Sequence, residues 1–319
     1  MKSKFLALLA GAFAAGAVLA QPYPNKPVKI LVPFVAGGTS DIVARTVSQK
    51  LNDAGYTTLV ENRPGANGSI AAEALAKSPP DGYTIMVGSI GTFAINMSLY
   101  KSPKYDTQKD FEAITVAVRT PNVLITPPGF APNSVKELIA YAKKNPGKVS
   151  YGSSGSGSSD HLSAELFKLQ TGTFGVHIPY RGGAAAQVDI MAGNIEASFQ
   201  NFGTVVPYIK AGKMKALAVT SATRMPQFPN LPTMIESGLP GFDVTSWQAV
   251  AAPRGTPKEI VAKLQADIAK GFHAADITQR FTDQGFEIVV NTPEQASAFF
   301  KAEIERWAKV VKASGATVD

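Results

Sequence analysis

Along the chain, short apolar runs alternate with longer stretches whose apolar positions recur at helical spacing, which predicts βαβ units and parallel sheets. Residues 28–34 read as a buried strand and 42–54 as a helix, joined by the turn Ala36-Gly37-Gly38-Thr39-Ser40-Asp41. Thr39 or Ser40 is expected to cap that helix, Asp41 complements its positive end, and Gly55 suits the left-handed residue past its end. Strands follow at 58–61 and 83–89 around a helix at 69–77, with Pro79-Pro80-Asp81-Gly82 as a turn. A second set opens with a strand at 122–126 and a helix at 134–144 capped by Ser134. It continues through strands at 149–152, 176–180, 195–199 and 215–220 and helices at 161–170 and 184–191.

Residues 225–241, which hold Pro226, Pro229, Pro232 and Pro240, read as a long surface connection. A strand at 246–252, a helix at 257–272 opened by proline, and a final helix at 293–312 complete the chain. This last part is too short for a domain of its own, so it is expected to pack back onto the N-terminal half. The expected lobes are residues 21–120 plus 245–319 and residues 121–244, with two chain crossings between them.

The N-terminus changes what composition means. Lys2 and Lys4 precede the apolar run 5–19 and the small-residue site Val18-Leu19-Ala20, which together read as a signal peptide, residues 1–20, cleaved near Ala20. The run is shorter than a membrane span, so an exported, periplasmic chain is expected. Of the net +7, Lys2 and Lys4 carry two charges. Lys143-Lys144 and Lys309/Lys312 read as solvated helix faces, so no nucleic-acid footprint is expected. The absence of cysteine excludes disulfides, thiolate metal sites, thiol catalysis and a lipid anchor on cysteine. At 319 residues the chain is long enough to be stable on core burial alone.

One pattern recurs: an apolar strand, a Gly/Ser-rich loop, then a helix, at 34–41 and again at 152–161. Helix starts carry unpaired amides and a positive dipole end, so two of them facing across a crevice would hold a carboxylate. Tight βα turns with no ligand are the alternative. A third such turn at Tyr180-Arg181-Gly182-Gly183 favours a cleft at the carboxyl ends of the strands. Arg181 is either a rim charge or a bidentate carboxylate clamp. Arg119 falls where the chain first crosses between lobes, and Trp247 and Phe34 could stack on a ligand or pack in the core.

Enzyme motifs fail. Gly155-Ser156-Gly157-Ser158-Ser159-Asp160 starts like a dinucleotide fingerprint but ends in Asp, the run holds no Gly-x-Ser-x-Gly elbow, and no phosphate loop ends in Gly-Lys-Ser/Thr. His161, His177 and His273 show no metal-ligand spacing. His273 reads as the end of a helix, and His161 as a ligand contact or a loop cap. No cofactor, metal or catalytic residue is expected.

The sequence resembles the periplasmic solute receptors of tripartite tricarboxylate transporters, the Bug family, over the whole mature chain. The resemblance rests on Gln21-Pro22-Tyr23-Pro24-Asn25-Lys26-Pro27-Val28, Pro33-Phe34-Val35-Ala36-Gly37-Gly38-Thr39-Ser40-Asp41 and Val60-Glu61-Asn62-Arg63-Pro64-Gly65-Ala66-Asn67-Gly68. It continues through Pro80-Asp81-Gly82-Tyr83-Thr84, Tyr151-Gly152-Ser153-Ser154-Gly155-Ser156-Gly157-Ser158, Pro179-Tyr180-Arg181-Gly182-Gly183 and Pro253-Arg254-Gly255-Thr256-Pro257.

It implies a two-lobed periplasmic-binding-protein fold (type II, Venus flytrap), with a mixed, mostly parallel sheet in each lobe, that delivers a small carboxylate to a membrane permease. The ligand would be a di- or tricarboxylate or an aromatic acid, held by backbone amides and bridging waters. The implied binding residues are Phe34, Ala36, Gly37, Gly38, Thr39 and Asp41 from the first loop, and Ser153, Ser154, Gly155, Ser158 and His161 from the second. Tyr180, Arg181 and Gly182 complete the pocket, with Ser89 and Phe93 toward its distal part. A monomer is expected. The rival readings are a secreted hydrolase or lyase using His161 with Ser158, and a sensory receptor for the same ligands.

Overall fold

The computed structural model describes residues 23–316; the signal-peptide reading of residues 1–20 lies outside them. The first lobe opens with β1 (Val28–Val32), α1 (Thr39–Asp53), β2 (Thr58–Asn62), α2 (Ser69–Ala76) and β3 (Thr84–Ser89). Strand β1 lies between β2 and β3, parallel to both. Its side chains alternate between two buried faces: Ile30 and Val32 pack with Val43 and Val47 of α1, while Leu31 packs with Ala71, Ala72 and Leu75 of α2. That double burial explains why the run is apolar without a break.

After α3 (Asn96–Leu99) and α4 (Thr107–Asp110) comes β4 (Phe111–Thr126), the strand that joins the lobes. In sequence only 122–126 read as a strand, because Arg119-Thr120-Pro121 looks like a break. In the fold, Phe111 through Pro121 pair with one sheet and Asn122 through Thr126 with the next. Pro121 is the last residue of the first ladder, so its missing N–H falls where the strand changes partner.

The second lobe then builds α5 (Val135–Lys144), β5 (Ser150–Ser153), α6 (Ser159–Thr171), β6 (Val176–Pro179), α7 (Gly183–Ala192), β7 (Ala197–Asn201), α8 (Phe202–Lys210) and β8 (Lys215–Val219). Helix α8 has no counterpart in the sequence reading; Pro207 lies inside it. Ser134 caps α5 as expected, accepting from the Glu137 amide at 3.2 Å. Residues 225–241 form the expected irregular connection.

The chain returns through β9 (Thr245–Pro253), which pairs antiparallel with both β3 and β4. Then follow α9 (Lys258–Phe272), α10 (Ala275–Asp283), β10 (Glu287–Ile288) and α11 (Pro293–Ser314), of which α10 and β10 were not read from sequence. The strand order is β2-β1-β3-β9-β4-β7-β5-β6, with β8 and β10 also on β4. Both lobes are thus parallel at their outer strands and antiparallel around β4. Trp247 and Phe93, read as ligand-facing candidates, are instead buried beside each other with Phe300. Glu303 of α11 fixes this core by accepting from the indoles of Trp247 (2.8 Å) and Trp307 (3.1 Å).

Candidate ligand cleft

The carboxyl ends of β1, β3, β5, β6 and β7 all open onto the space between the lobes, and each leads into a helix or turn that starts there. Four helix starts converge. Those of α1, α7 and α8 have no side-chain cap, their N-caps being Gly38, Gly182 and Asn201. The expectation that Thr39 or Ser40 caps α1 is therefore corrected: both lie inside the helix with their hydroxyls engaged elsewhere. Thr39 Oγ1 donates across the cleft to Asn201 Oδ1 (2.8 Å), and Ser40 Oγ donates to Gln248 Oε1 (2.7 Å). Only α6 has its start filled, by Ser158 Oγ, which accepts from the His161 amide at 3.3 Å.

These starts enclose an inner chamber of about 40 Å³. A water needs about 10–15 Å³ by this measure, so the space suits a few waters or one carboxylate group. From the first lobe it is lined by Phe34, Gly38, Thr39, Ser40, Ser89, Ile90, Ser246 and Gln248, and from the second by Ser154, Ser158, Ser159, Asp160, Gly183, Gln187, Gln200, Asn201 and Thr204. Among these described residues Asp160 is the sole ionisable group, so any attraction for an anion comes from helix ends and not from Lys or Arg.

Each donor-rich loop is fastened by a carboxylate of its own helix. Asp41 accepts from the Gly37 amide (3.0 Å), Arg45 Nε (2.9 Å) and Asn62 Nδ2 (3.0 Å). Burial pushes its carboxyl up, but these hydrogen bonds outweigh it and hold it below the usual range. Asp160 accepts from both the amide and the hydroxyl of Ser154, each at 2.6 Å, and from Gln200 Nε2 at 3.4 Å. There burial wins and the carboxyl is pushed up.

Behind the second loop the rings of His161 and His177 stack 3.8 Å apart. His161 Nδ1 accepts from the Gly157 amide (3.0 Å), and His177 Nε2 lies 2.7 Å from Ser153 Oγ. His161 supports the loop and lines neither chamber. Ser158 Oγ donates to the Gly155 carbonyl at 2.7 Å, so the Ser158–His161 pair of the hydrolase reading is not formed.

An outer chamber of about 320 Å³ adjoins the first, sharing Phe34 and Ser154. It is lined by Gly65, Ala66, Asn67, Tyr100, Gly155, Ser156, Pro179, Tyr180 and Arg181. Tyr180 is fixed there by donating to Asp189 Oδ2 at 2.5 Å.

Of the residues expected from sequence, Phe34, Gly38, Thr39, Ser89, Ser154 and Ser158 line the inner chamber, and Gly155, Tyr180 and Arg181 the outer one. Ala36, Gly37, Asp41, Ser153, His161 and Gly182 line neither; they shape the loops from behind. Sequence reasoning missed Gln187, Gln200, Asn201, Ser246, Gln248 and the turn at 65–67. The polar positions 246 and 248 alternate with Trp247 and Ala249, and Gln200-Asn201 ends an apolar strand, which are the signals that could have found them.

A family model described as tripartite tricarboxylate transporter family receptor matches residues 42–316. Protein BugT of Bordetella pertussis (strain Tohama I) is 38% identical over 310 residues, covering 97% of this chain and 95% of that protein. Among solved structures, R. palustris Rpa4515 with adipate superposes with a TM-score of 0.90 at 38% identity, covering 92% of this chain and 99% of the other. MatC from Rhodopseudomonas palustris with bound malate gives 0.85 at 32% identity, covering 91% and 100%. A cleft rimmed by helix starts and a match over nearly the whole chain agree: the chain belongs to the tripartite tricarboxylate transporter receptor family.

Proposed function

We propose that the chain is an exported receptor, cleaved near Ala20, that captures a small carboxylate and delivers it to membrane permease subunits. Residues 21–120 with 245–319 close as one lobe against residues 121–244, and no bond is made or broken. The observation that carries this reading is the convergence of four helix starts from both lobes on one small chamber without a lining Lys or Arg. One carboxylate group in that chamber would accept from amides and hydroxyls of both lobes, so it binds the closed form better and draws the lobes together. The adipate and malate held by the two similar structures support the same ligand class. The protein acts as a monomer, since one chain supplies both walls of the cleft.

Thermal shift of the mature protein against aliphatic C4–C6 dicarboxylates and aromatic acids tests this. A ligand at a hundred times its Kd stabilises by about 2.7 kcal/mol, a rise in melting temperature of about 4 °C. A panel that leaves the melting temperature unmoved would sink the proposal, and turnover of a bound acid or ester, followed by NMR, would restore the hydrolase reading.

A further inference from the structure

The inner chamber holds a contradiction in charge. Helix starts favour an anion there, yet the wall carries a carboxylate, Asp160, only 3% exposed. The matching carboxylate of the first loop, Asp41, is paired with Arg45 and does not face the chamber. Asp160 has no ion pair among the described residues. The Ser154 amide and hydroxyl and the Gln200 amide all point at Oδ2. Three donors aimed at one oxygen favour the ionised carboxylate against the burial that opposes it. A plain carboxylate entering this space would meet a like charge at close range in a poorly solvated site, which is unfavourable. A ligand that brings a donor beside its carboxylate would turn that repulsion into a charge-assisted hydrogen bond.

We propose that Asp160 is a specificity-determining residue, which selects acids carrying a hydroxyl or ammonium group next to the bound carboxylate over the unsubstituted acids of the same length. This rests on the carboxylate-receptor reading above and narrows it to hydroxy- and amino-acids. Two features of the site agree. Gln187 and Gln200 lie beside Asp160 in the same wall, linked at 3.3 Å, and supply amide oxygens and N–H groups able to orient a small polar substituent. No lining Lys or Arg is present to neutralise Asp160 in place of the ligand. Burial also pushes the Asp160 carboxyl up, as for a buried charge without an ion-pair partner.

The test is calorimetric titration of the mature protein with two matched series: succinate, malate and aspartate, and adipate, 2-hydroxyadipate and 2-aminoadipate. In at least one series a substituted acid is expected to bind about tenfold or more tightly than its parent, the worth of one charge-assisted hydrogen bond. In Asp160→Asn, and in Asp160→Ser as a second variant that also lacks the charge, that ratio is expected to fall to within about threefold, through tighter binding of the parent acid. Wild-type protein that binds the parent acids as tightly as the substituted ones would overturn the assignment, without needing either variant to fold. A preference that persists unchanged in a folded variant would overturn it as well. Should no acid of either series bind while an aromatic acid does, this inference fails and the receptor reading stands; should no carboxylate of any kind bind, the receptor reading itself fails.

Discussion

Gly157 stands where the second loop meets the opposite lobe. Its φ of +85° is one that L side chains rarely adopt, and a Cβ there would collide with the side chain of Leu99 and lie 2.8 Å from Asn67 Nδ2. Both neighbours belong to the first lobe, so the overlap exists only when the lobes are together. The backbone strain, about 1–2 kcal/mol, is present open or closed and cancels from affinity. Gly157→Ala is therefore expected to weaken carboxylate binding by about tenfold to a hundredfold, since overpacking costs about 1–3 kcal/mol and falls on the closed form alone. Gly172→Ala is the control: φ there is +61° with nothing within 4 Å, so it lowers the melting temperature through strain but leaves affinity unchanged. Equal affinity losses in the two variants, measured by titration with one acid, would show that the loop does not touch the first lobe when ligand is bound. Asn67 on the other side of this contact also has positive φ, 48°, and its Oδ1 has no hydrogen-bond partner in the structure.

Helix α6 and strand β6 meet through the two stacked histidines, and this pairing gives the second lobe a pH dependence. Burial, aided by the neighbouring His161, pushes the His177 ring down from its ordinary 6.5 to about 3. The unfolded chain thus binds a proton that the folded chain refuses. The resulting stability is complete above pH 6.5 and is lost as pH falls from 6.5 toward 3, at no more than about 1.4 kcal/mol per pH unit. Glu165, held near 2 by hydrogen bonds from His161 and Lys168 that outweigh its burial, adds to the same slope only below its ordinary 4.5. The slope between pH 6.5 and 4.5 should accordingly flatten in His177→Gln, as read by melting temperature against pH. A slope identical to wild type would place the titrating group elsewhere. The elements themselves were largely legible: α1, α5, α6 and α9 announce themselves through apolar spacing and end signals. What the sequence concealed has physical reasons. The first half of β4 was hidden because Pro121 reads as a break when the fold uses it as a change of partner. Gln200 and Ser246 face the inner chamber although each sits in a strand otherwise built for the core, and no spacing rule says which end of a strand opens onto a cleft. Asp41 and Asp160 occupy similar places in sequence, yet only one faces the chamber, because Arg45 and Asn62 draw the other away.

At the scale of the whole molecule, the route between lobes is short: β4 crosses between Pro121 and Asn122, and the chain returns between Val244 and Thr245. Val244 still donates to Thr220 of the second lobe at 3.1 Å, while Thr245 already pairs with Pro121. Two adjacent crossings form a hinge with few dihedrals to change, which suits a rigid-body closure better than a broad deformation. The contacts that hold the lobes together at the cleft are few and small, chiefly Thr39 with Asn201, Gly182 against Val35 and Gly157 against Leu99. Without an acid bridging the two sets of helix starts, amides in the chamber gain more from water than from each other, so an open form is the expected ligand-free state. Ligand then shifts the population by its differential affinity for the closed form. Small-angle scattering is expected to give a radius of gyration near about 19 Å with a saturating acid, the value for a compact chain of this length, and a larger one without it. Thr39→Val removes the hydroxyl that reaches Asn201 and leaves that oxygen unpaired in the closed form, at a cost of about 1–3 kcal/mol. The variant should therefore need more acid to reach the same compact radius, with the ligand-free radius unaltered. Scattering curves that coincide with and without ligand in the wild type would mean that the cleft is fixed, and that capture proceeds by diffusion into a standing pocket and not by closure.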